Sequence, residues 1–518
     1  MIYQCFSHTE PIRSEGRQGM KQVFSRDLRQ SRAMVEQAVH LTENDDIIVR
    51  PFQALGQMGV LYYVDGMAGG QQIADFILRP LLAASEKLAG DKALSAARER
   101  LIEISELTEE TALLPAISQM MRGQCLVLLD TCNRALLADV RAYVRRSVST
   151  PQTENVIIGP HEAFTESLRD NLTLLHRLLP TPEMTCRVVT VGAQIPVQVA
   201  VCSLKGICPE EVQQELMRRI GLCRADSVLT LSMLSQLIED NPYAPLPQTI
   251  LTERPDRVAS FLLEGQAAVL MDGSPYGLCM PMSLWHLLHA PDDTYMRWQY
   301  GFFMRLVRMA GLALALLLPG VFLSLVLFHP VALPMSLLTN IIQSRSVVSI
   351  SLFAEALLMI LVFDLINEAS ARIPGLMGSS FGLVSALILG TAAVDAGLVS
   401  PLLLIVVALS GLGSYALPSY PLSFAVRIGQ LLLTIAGGLM GLPGVCLGLV
   451  CLINRVAGLQ SLGSPYLAPS SPHRTLNPDL VWRGPLFRQR LRTWLANPQS
   501  MLRLRGPMRF EKGNKHDR

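Results

Sequence analysis

Charge is scarce in this 518-residue chain, where Asp, Glu, Lys and Arg make up 17% of residues against 50% hydrophobic ones. That shortage excludes a disordered polymer, and a net charge of +2 excludes a uniformly basic nucleic-acid binder. Catalytic signatures are lacking too. The chain holds no GxxxxGK(S/T) phosphate loop, no GxSxG elbow, no HExxH and no GxGxxG opening a helix after a strand, so nothing argues for an enzyme or a cofactor. The ten cysteines form no CxxC pair, and those before residue 300 are expected to be reduced and structural. Residues 1–50 contain no apolar core of the kind a cleaved signal peptide needs, so membrane insertion has to use an internal segment.

What charge there is lies unevenly. Residues 1–300 hold 27 basic and 35 acidic side chains, residues 301–453 hold 5 and 4, and residues 454–518 hold 12 and 3. An acidic soluble part is therefore followed by an almost uncharged block and a basic tail. A helix needs roughly 20 mostly apolar residues to cross a bilayer. Four stretches are expected as full spans: 309–328, 373–394, 396–426 with its apolar core at 402–417, and 428–454. A fifth, 352–366, is shorter and carries Glu355 and Asp364, with Asp364, Glu368 and Arg372 spaced four apart on one helical face. It reads either as an amphipathic helix whose end emerges into water or as a re-entrant or pore-lining element. A carboxylate such as Glu355 inside an apolar run is costly unless it faces protein or a water-filled cavity. Arg297, Arg305 and Arg308 before the first span and the arginines after the last predict that both termini are cytoplasmic. Four crossings satisfy that parity, as do six counting 331–342 and 352–366. Gly378, Gly382, Ala386 and Gly390 recur at four-residue intervals and are candidates for close helix packing, as are Gly437, Gly441, Gly444 and Gly448.

The soluble part contains a repeat. "VLYYVDG" at 60–66 aligns with "AVCSLKG" at 200–206, and "GQCLVLLD" ending at Asp130 aligns with "GQAAVLMD" ending at Asp272, at offsets of 140 and 142 residues. Each half reads as a short buried strand, a glycine turn, an amphipathic helix and a further apolar strand. The expected organisation is an N-terminal extension (1–45), two related α/β subdomains (46–150 and 151–300), a helical polytopic membrane domain (301–455) and a basic cytoplasmic tail (456–518). A linking helix is expected within 159–180, with Pro160 in its first turn, Glu162 and Glu166 near its N-terminus, and Pro180 ending it. Its stripe of Phe164, Leu168, Leu172, Leu175 and Leu179 is expected to pack in a core. His286, His289, Asp292 and Asp293 have metal-like spacing, but they stand on a polar approach to the membrane and no metal is assigned to them. In the tail, Arg residues interleave with Trp482, Phe487 and Trp494 just after a span, which favours anionic lipid headgroups over nucleic acid.

The order of motifs from about residue 45 to 490 resembles the A subunit of GerA-type spore germination receptors. The strings that carry it are "PQTENVIIGPHEAFTESLRDNLTLLHRLL", "IEDNPYAPLPQTILTERPDRVASFLLEGQAAVLMDGSP", "FHP" after the first span, "AEALLMILVFDLINEASARIPG", "AAVDAGLVSPLLLIVVALSGLGSYALPSYPLSFAVR" and "SPYLAP". The resemblance implies a non-enzymatic subunit of the spore inner membrane that assembles with a transporter-like B subunit and a C-subunit lipoprotein. It also implies an oligomer forming an ion-conducting path whose opening starts germination. Glu355, Asp364, Glu368 and Arg372 are then candidates for lining or gating that path. The chain departs from the family pattern at His161, where an Arg is usual, and at Arg345 to Val348, where "REG" and prolines are usual. "DVRAYVRRS" at 139–147 and "LYYVDG" also resemble the stage V sporulation AF-type paralogue, which is tied to ion and dipicolinate release. A scaffold that docks other subunits without conducting is a further alternative.

Overall fold

The structure, a computed structural model, describes residues 22–142, 151, 154, 156–372, 388–472, 483–486, 489, 491–493 and 495–503. Two five-stranded antiparallel sheets occupy the first part. The first joins β1 (Ile47–Ala54), β2 (Gln57–Val64), β3 (Leu107–Glu110), β4 (Cys125–Leu129) and β5 (Ala135–Ala138) in the order β1-β2-β4-β5-β3. The second joins β6 (Met184–Val191), β7 (Val197–Leu204), β8 (Ile250–Thr252), β9 (Ala267–Met271) and β10 (Gly277–Met280) in the equivalent order β6-β7-β9-β10-β8. The repeat read from sequence extends to strand register. Val60 sits opposite Leu128, and its counterpart Ala200 opposite Leu270. The glycine turn recurs with left-handed backbone, at φ 80° for Gly66 and 75° for Gly206, where a side chain would be strained.

Helices cover both faces of each sheet. In the first unit α1 (Leu28–Ala38) and α5 (Leu113–Met120) pack on one face, against Val60, Tyr62, Leu126 and Leu128. The short helical segments α2 (Gly70–Gln72), α3 (Arg79–Ala83) and α4 (Asp91–Ala96), with the π-helical turns Ile73–Leu78 and Ala97–Leu101, cover Leu61, Cys125, Val127 and Leu129 on the other. Alternate side chains of β4 thus enter two different cores, which is why "CLVLL" is apolar throughout instead of alternating. In the second unit α6 (Leu168–Leu178) and α9 (Pro255–Leu263) take the first face, α7 (Glu210–Leu222) and α8 (Leu231–Ile238) the second.

Helix α6 begins at Leu168, later than the Pro160 start expected from sequence. The carbonyl of Pro160 accepts a hydrogen bond from the buried Arg254 Nη2 (2.9 Å), and Phe164 N–H donates to the Glu253 carbonyl (2.8 Å). Those backbone groups are spent on another segment, so the helix starts where Ser167 caps it. It occupies the place that α1 holds in the first unit. Asp272 Oδ1 accepts from Leu168 N–H at 3.1 Å, and Asp130 Oδ1 accepts from Leu28 N–H at 3.2 Å. The stripe Phe164, Leu168, Leu172, Leu175 and Leu179 enters one core, as expected.

The segment before β1 lies along β6 and joins the two units. Asp45 N–H donates to the Cys186 carbonyl (3.0 Å), Cys186 N–H to Asn44 Oδ1 (3.0 Å), and Val188 N–H to Asp45 Oδ2 (2.8 Å). Lys205 Nζ reaches Glu43 at 2.7 Å.

After α10 (Leu284–Leu287) and α11 (Asp292–Tyr295) the chain becomes helical. It continues through α12 (Trp298–Phe328), α13 (Met335–Arg345), α14 (Leu352–Arg372), α15 (the described residues 388–395), α16 (Pro401–Tyr415) and α17 (Tyr420–Ala457), then a small hairpin of β11 (Gln460–Ser461) and β12 (Ser464–Pro465). Among the described residues, two helices, α12 and α17, are long and apolar enough to cross a membrane. Helix α14 is a full 21 residues. The 11-residue α13 reaches only about 16 Å, too short to cross.

The stretch expected as one uninterrupted span at 428–454 is bent back on itself. Gly441 has φ 67° and ψ −153°, outside the helical region, and Pro443 opens a second helical arm two residues later. A Cβ on Gly444 would lie 2.3 Å from the Ala436 carbonyl, and one on Gly448 would lie 2.7 Å from Leu433 Cδ2. Residues eight and fifteen apart in sequence touch only if the arms are antiparallel. Gly444 and Gly448 thus serve packing within one hairpin. Gly378, Gly382 and Ala386, like most of the stretch 373–394, lie outside the described residues. Gly390 is buried, with a Cβ position 3.4 Å from Leu404 Cδ2.

Candidate functional site

Helix α12 is the centre of the helical part. A Cβ on Gly413 would stand 2.4 Å from the Gly311 carbonyl, and one on Gly437 would stand 2.5 Å from the Gly320 carbonyl, so α16 and the first arm of α17 approach it backbone to backbone. Pro319 lacks the N–H that would bond the Ala315 carbonyl one turn earlier. Ser410 Oγ of α16 supplies the missing donor at 3.1 Å. A helix-breaking residue is thereby converted into an interhelical contact.

Glu355, near the start of α14, is completely buried. Its Oε1 accepts both the N–H and the hydroxyl of Ser400, each at 2.6 Å, and Ser400 is the N-cap of α16. The carboxylate therefore occupies the positive end of a helix dipole. Arg345 Nε, at the end of α13, lies 3.7 Å from Oε2. Three helices meet at one buried anion, which answers how an acidic residue is tolerated in an apolar run.

The other three candidates are elsewhere. Asp364 lies nine residues further along α14, about 13 Å by helical rise, and pairs with Arg427 at 3.6 Å. Arg427 also stacks over the Tyr415 ring, 5.6 Å from its centroid. Glu368 and Arg372 pair with one another on an exposed surface, Arg372 Nε to Glu368 Oε1 at 2.9 Å. The structure thus brings Glu355 together with Ser400 and Arg345, Asp364 together with Arg427, and does not bring the two clusters together. Ser400 and Arg427 escaped sequence reasoning; the Ser-Pro start of α16 is the signal that could have marked an N-cap.

At the base of α12 the second α/β unit is fused to the helices. Arg308 grips the buried Asp293 with two hydrogen bonds, 2.6 Å and 3.0 Å, and donates to the Leu288 carbonyl, while Arg305 lies 3.5 Å from the same carboxylate. The expected metal-like group is accordingly committed otherwise. Asp292 accepts from Ile157 N–H (3.2 Å), and His286 Nδ1 meets Ser283 Oγ (2.9 Å). Burial pushes the His286 imidazole down to about 3, helped by Arg257 and Arg305. Ala315, Leu417, Leu422, Val426, Leu459 and Tyr466 belong to the same apolar cluster as α6, α9 and the second sheet. Tyr466 OH donates to the Pro247 carbonyl at 2.8 Å. In the tail, Arg492 donates to the Leu263 carbonyl (2.7 Å), Arg503 pairs with Glu264 (2.6 Å) and Arg483 bonds the Thr294 carbonyl (3.2 Å). These guanidiniums grip the second unit; Trp482, Phe487 and Trp494 lie outside the described residues.

The family described as Bacillus/Clostridium GerA spore germination protein matches residues 34–495. The chain belongs to that family. Spore germination protein B1 of Bacillus subtilis (strain 168) is 33% identical over 473 residues, covering 90% of this chain and 96% of its own. An uncharacterized membrane protein of the same organism, YfkQ, is 31% identical over 442 residues, covering 85% and 86%. A crystal structure of the N-terminal domain of the A subunit of the Bacillus megaterium spore germinant receptor GerK3 aligns with 51% of this chain and 98% of its own, at 26% identity and a TM-score of 0.41. The family membership accords with the resemblance read from the motifs.

Proposed function

We propose that this chain is the A-type subunit of a spore germinant receptor, a polytopic protein of the spore inner membrane that works with a transporter-like B subunit and a C-subunit lipoprotein. The observation that carries the reading is the family match along nearly the whole chain, 34–495. The described helices α12, α14, α16 and the two arms of α17, taken with the apolar stretch 373–394 read from the sequence, support six crossings, which would leave both termini on the cytoplasmic side. The subunit oligomerises through small-residue faces and contributes to an ion-conducting path.

In this reading the Glu355–Ser400–Arg345 junction holds the resting arrangement of α13, α14 and α16, and opening requires the carboxylate to leave the α16 N-terminus. The second α/β unit, sharing its core with α12 and α17, transmits partner movement to that bundle. The test is ion flux from vesicles holding the purified oligomer, together with germination of spores. Glu355→Ala should change ion release in response to nutrient while leaving the protein level unchanged. Normal nutrient germination with Glu355→Ala would remove the residue from the mechanism. Spores deleted for the gene should ignore nutrients and still respond to other triggers. If they instead respond to nutrients and release dipicolinate slowly, the stage V AF-type reading holds, which the string at 139–147 favours. Assembly with partners but no conductance would leave a scaffold.

A further inference from the structure

Where the two α/β units meet, three side chains with metal-binding chemistry converge on one buried point, and a fourth stands beside one of them. Asp46 comes from the segment entering β1 of the first unit, His176 from α6, and Cys186 and Cys202 from neighbouring positions of β6 and β7. Asp46 Oδ2 contacts His176 Nε2, and ligand atoms of Asp46, His176 and Cys186 lie within 4.8 Å of one another. Cys202 Sγ stands 3.0 Å from Cys186 Sγ. All four residues are buried, three of them completely.

As a hydrogen-bonded cluster alone, this group is poorly satisfied. Asp46 Oδ1 and His176 Nδ1 are buried and have no hydrogen-bond partner among the described residues. A buried carboxylate oxygen or imidazole nitrogen without a partner costs on the order of 1–3 kcal/mol. Two thiols are weak donors and do not repair that deficit. A disulfide between Cys186 and Cys202 would account for two of the four side chains and leave Asp46 and His176 as they are.

We propose that Asp46, His176, Cys186 and Cys202 bind one divalent zinc-like ion that staples the first α/β unit to the second. One carboxylate, one imidazole and two thiolates make the four-coordinate mixed N, O and S set that suits zinc. Charge balances: one M²⁺ enters, the two thiol protons leave to water, and the net charge of the buried site is unchanged. The thiolate is the ligating form, so binding has to displace both thiol protons. Because Asp46 alone belongs to the first unit, its ligation would fix the orientation set by the Asn44 and Asp45 hydrogen bonds. The role is structural, since closed burial leaves no position for a substrate.

The test uses the full chain purified in detergent under reducing conditions. Elemental analysis after dialysis should find about one zinc per chain. Replacing zinc by cobalt should give a thiolate-to-cobalt charge-transfer band, which falls to about half in Cys202→Ser, where one of two thiolates remains. Asp46→Asn should keep the band and lower metal affinity by roughly 10-fold or more, with protease cutting between the units increased. Cys208→Ala, on the opposite face of the second sheet, should change none of these. Wild-type protein that is folded by circular dichroism yet binds neither zinc nor cobalt overturns the proposal, whatever the variants do. Recovery of a Cys186–Cys202 disulfide by peptide mapping of thiol-blocked protein overturns it as well.

Discussion

The two α/β units share strand order, register and helix placement, but they differ in what covers them. In the first unit, the core beneath α1 and α5 is built from residues of that unit. In the second, the equivalent core beneath α6 and α9 runs on into α12, the start of α17 and the hairpin after it. One copy of the fold is closed by itself; the other is closed by the helical bundle. Duplication thus supplied two similar platforms, of which the second shares its core with the helical part.

The comparison can be broken most severely at Asp293. Asp293→Ala would leave the buried Arg308 without its carboxylate, a loss of about 3–5 kcal/mol. Detergent-solubilised protein should melt earlier and accumulate poorly, and a silent substitution would show that the second unit is held to α12 by apolar contact alone. Leu175→Ala comes next. Leu175 and its repeat counterpart Val35 are both fully buried, yet Leu175 lies in the shared core. Its truncation should cost about 2–5 kcal/mol and abolish germination, whereas Val35→Ala should destabilise less and spare the helices. Equal effects on hydrogen exchange in α12 would erase the distinction between the units.

Acid provides a third probe of the same junction. His286 is buried, packed against Phe261 and near His289, and burial together with the positive charges of Arg257 and Arg305 holds it down to about 3. The unfolded chain takes up a proton near pH 6.5 while the folded one does not. Stability from this residue is therefore complete above about pH 6.5 and is lost as pH falls toward 3, about 2 kcal/mol being gone at pH 5. His286→Asn should flatten the melting temperature between pH 7 and 5. An unchanged acid slope would place the proton uptake elsewhere.

Much of this was legible beforehand. Val60, Asp130, Ala200 and Asp272 revealed the duplication because both copies bury the same strands between helices, and burial on two faces leaves a strong apolar signature. The uncharged block stood out for a similar reason. What escaped was decided by contacts between distant segments. Apolarity says nothing of direction, so the reversal at Gly441 passed as a continuous span, although Gly-Leu-Pro inside it was a local hint. Glu355 could be flagged as costly, but its partner Ser400 lies 45 residues on and is set by how α14 meets α16. Pro160 looked like a helix start until Arg254, nearly a hundred residues later, took its carbonyl.

The smallest test asks whether the duplication still matters energetically. Asp130 and Asp272 each cap the first helix of their unit through one hydrogen bond, to Leu28 N–H and Leu168 N–H. Either Asp→Ala change removes a charge-assisted bond to a helix N-terminus, at about 1–2 kcal/mol. If the repeat is conserved in energy as well as geometry, the two losses should match in thermal melts. Their consequences should then diverge, because α1 anchors only the first unit whereas α6 also supports the core beneath α12. Asp272→Ala should therefore impair nutrient germination at a temperature where Asp130→Ala does not. Equal impairment would mean that the first unit, despite its closed core, is as tightly coupled to the bundle as the second.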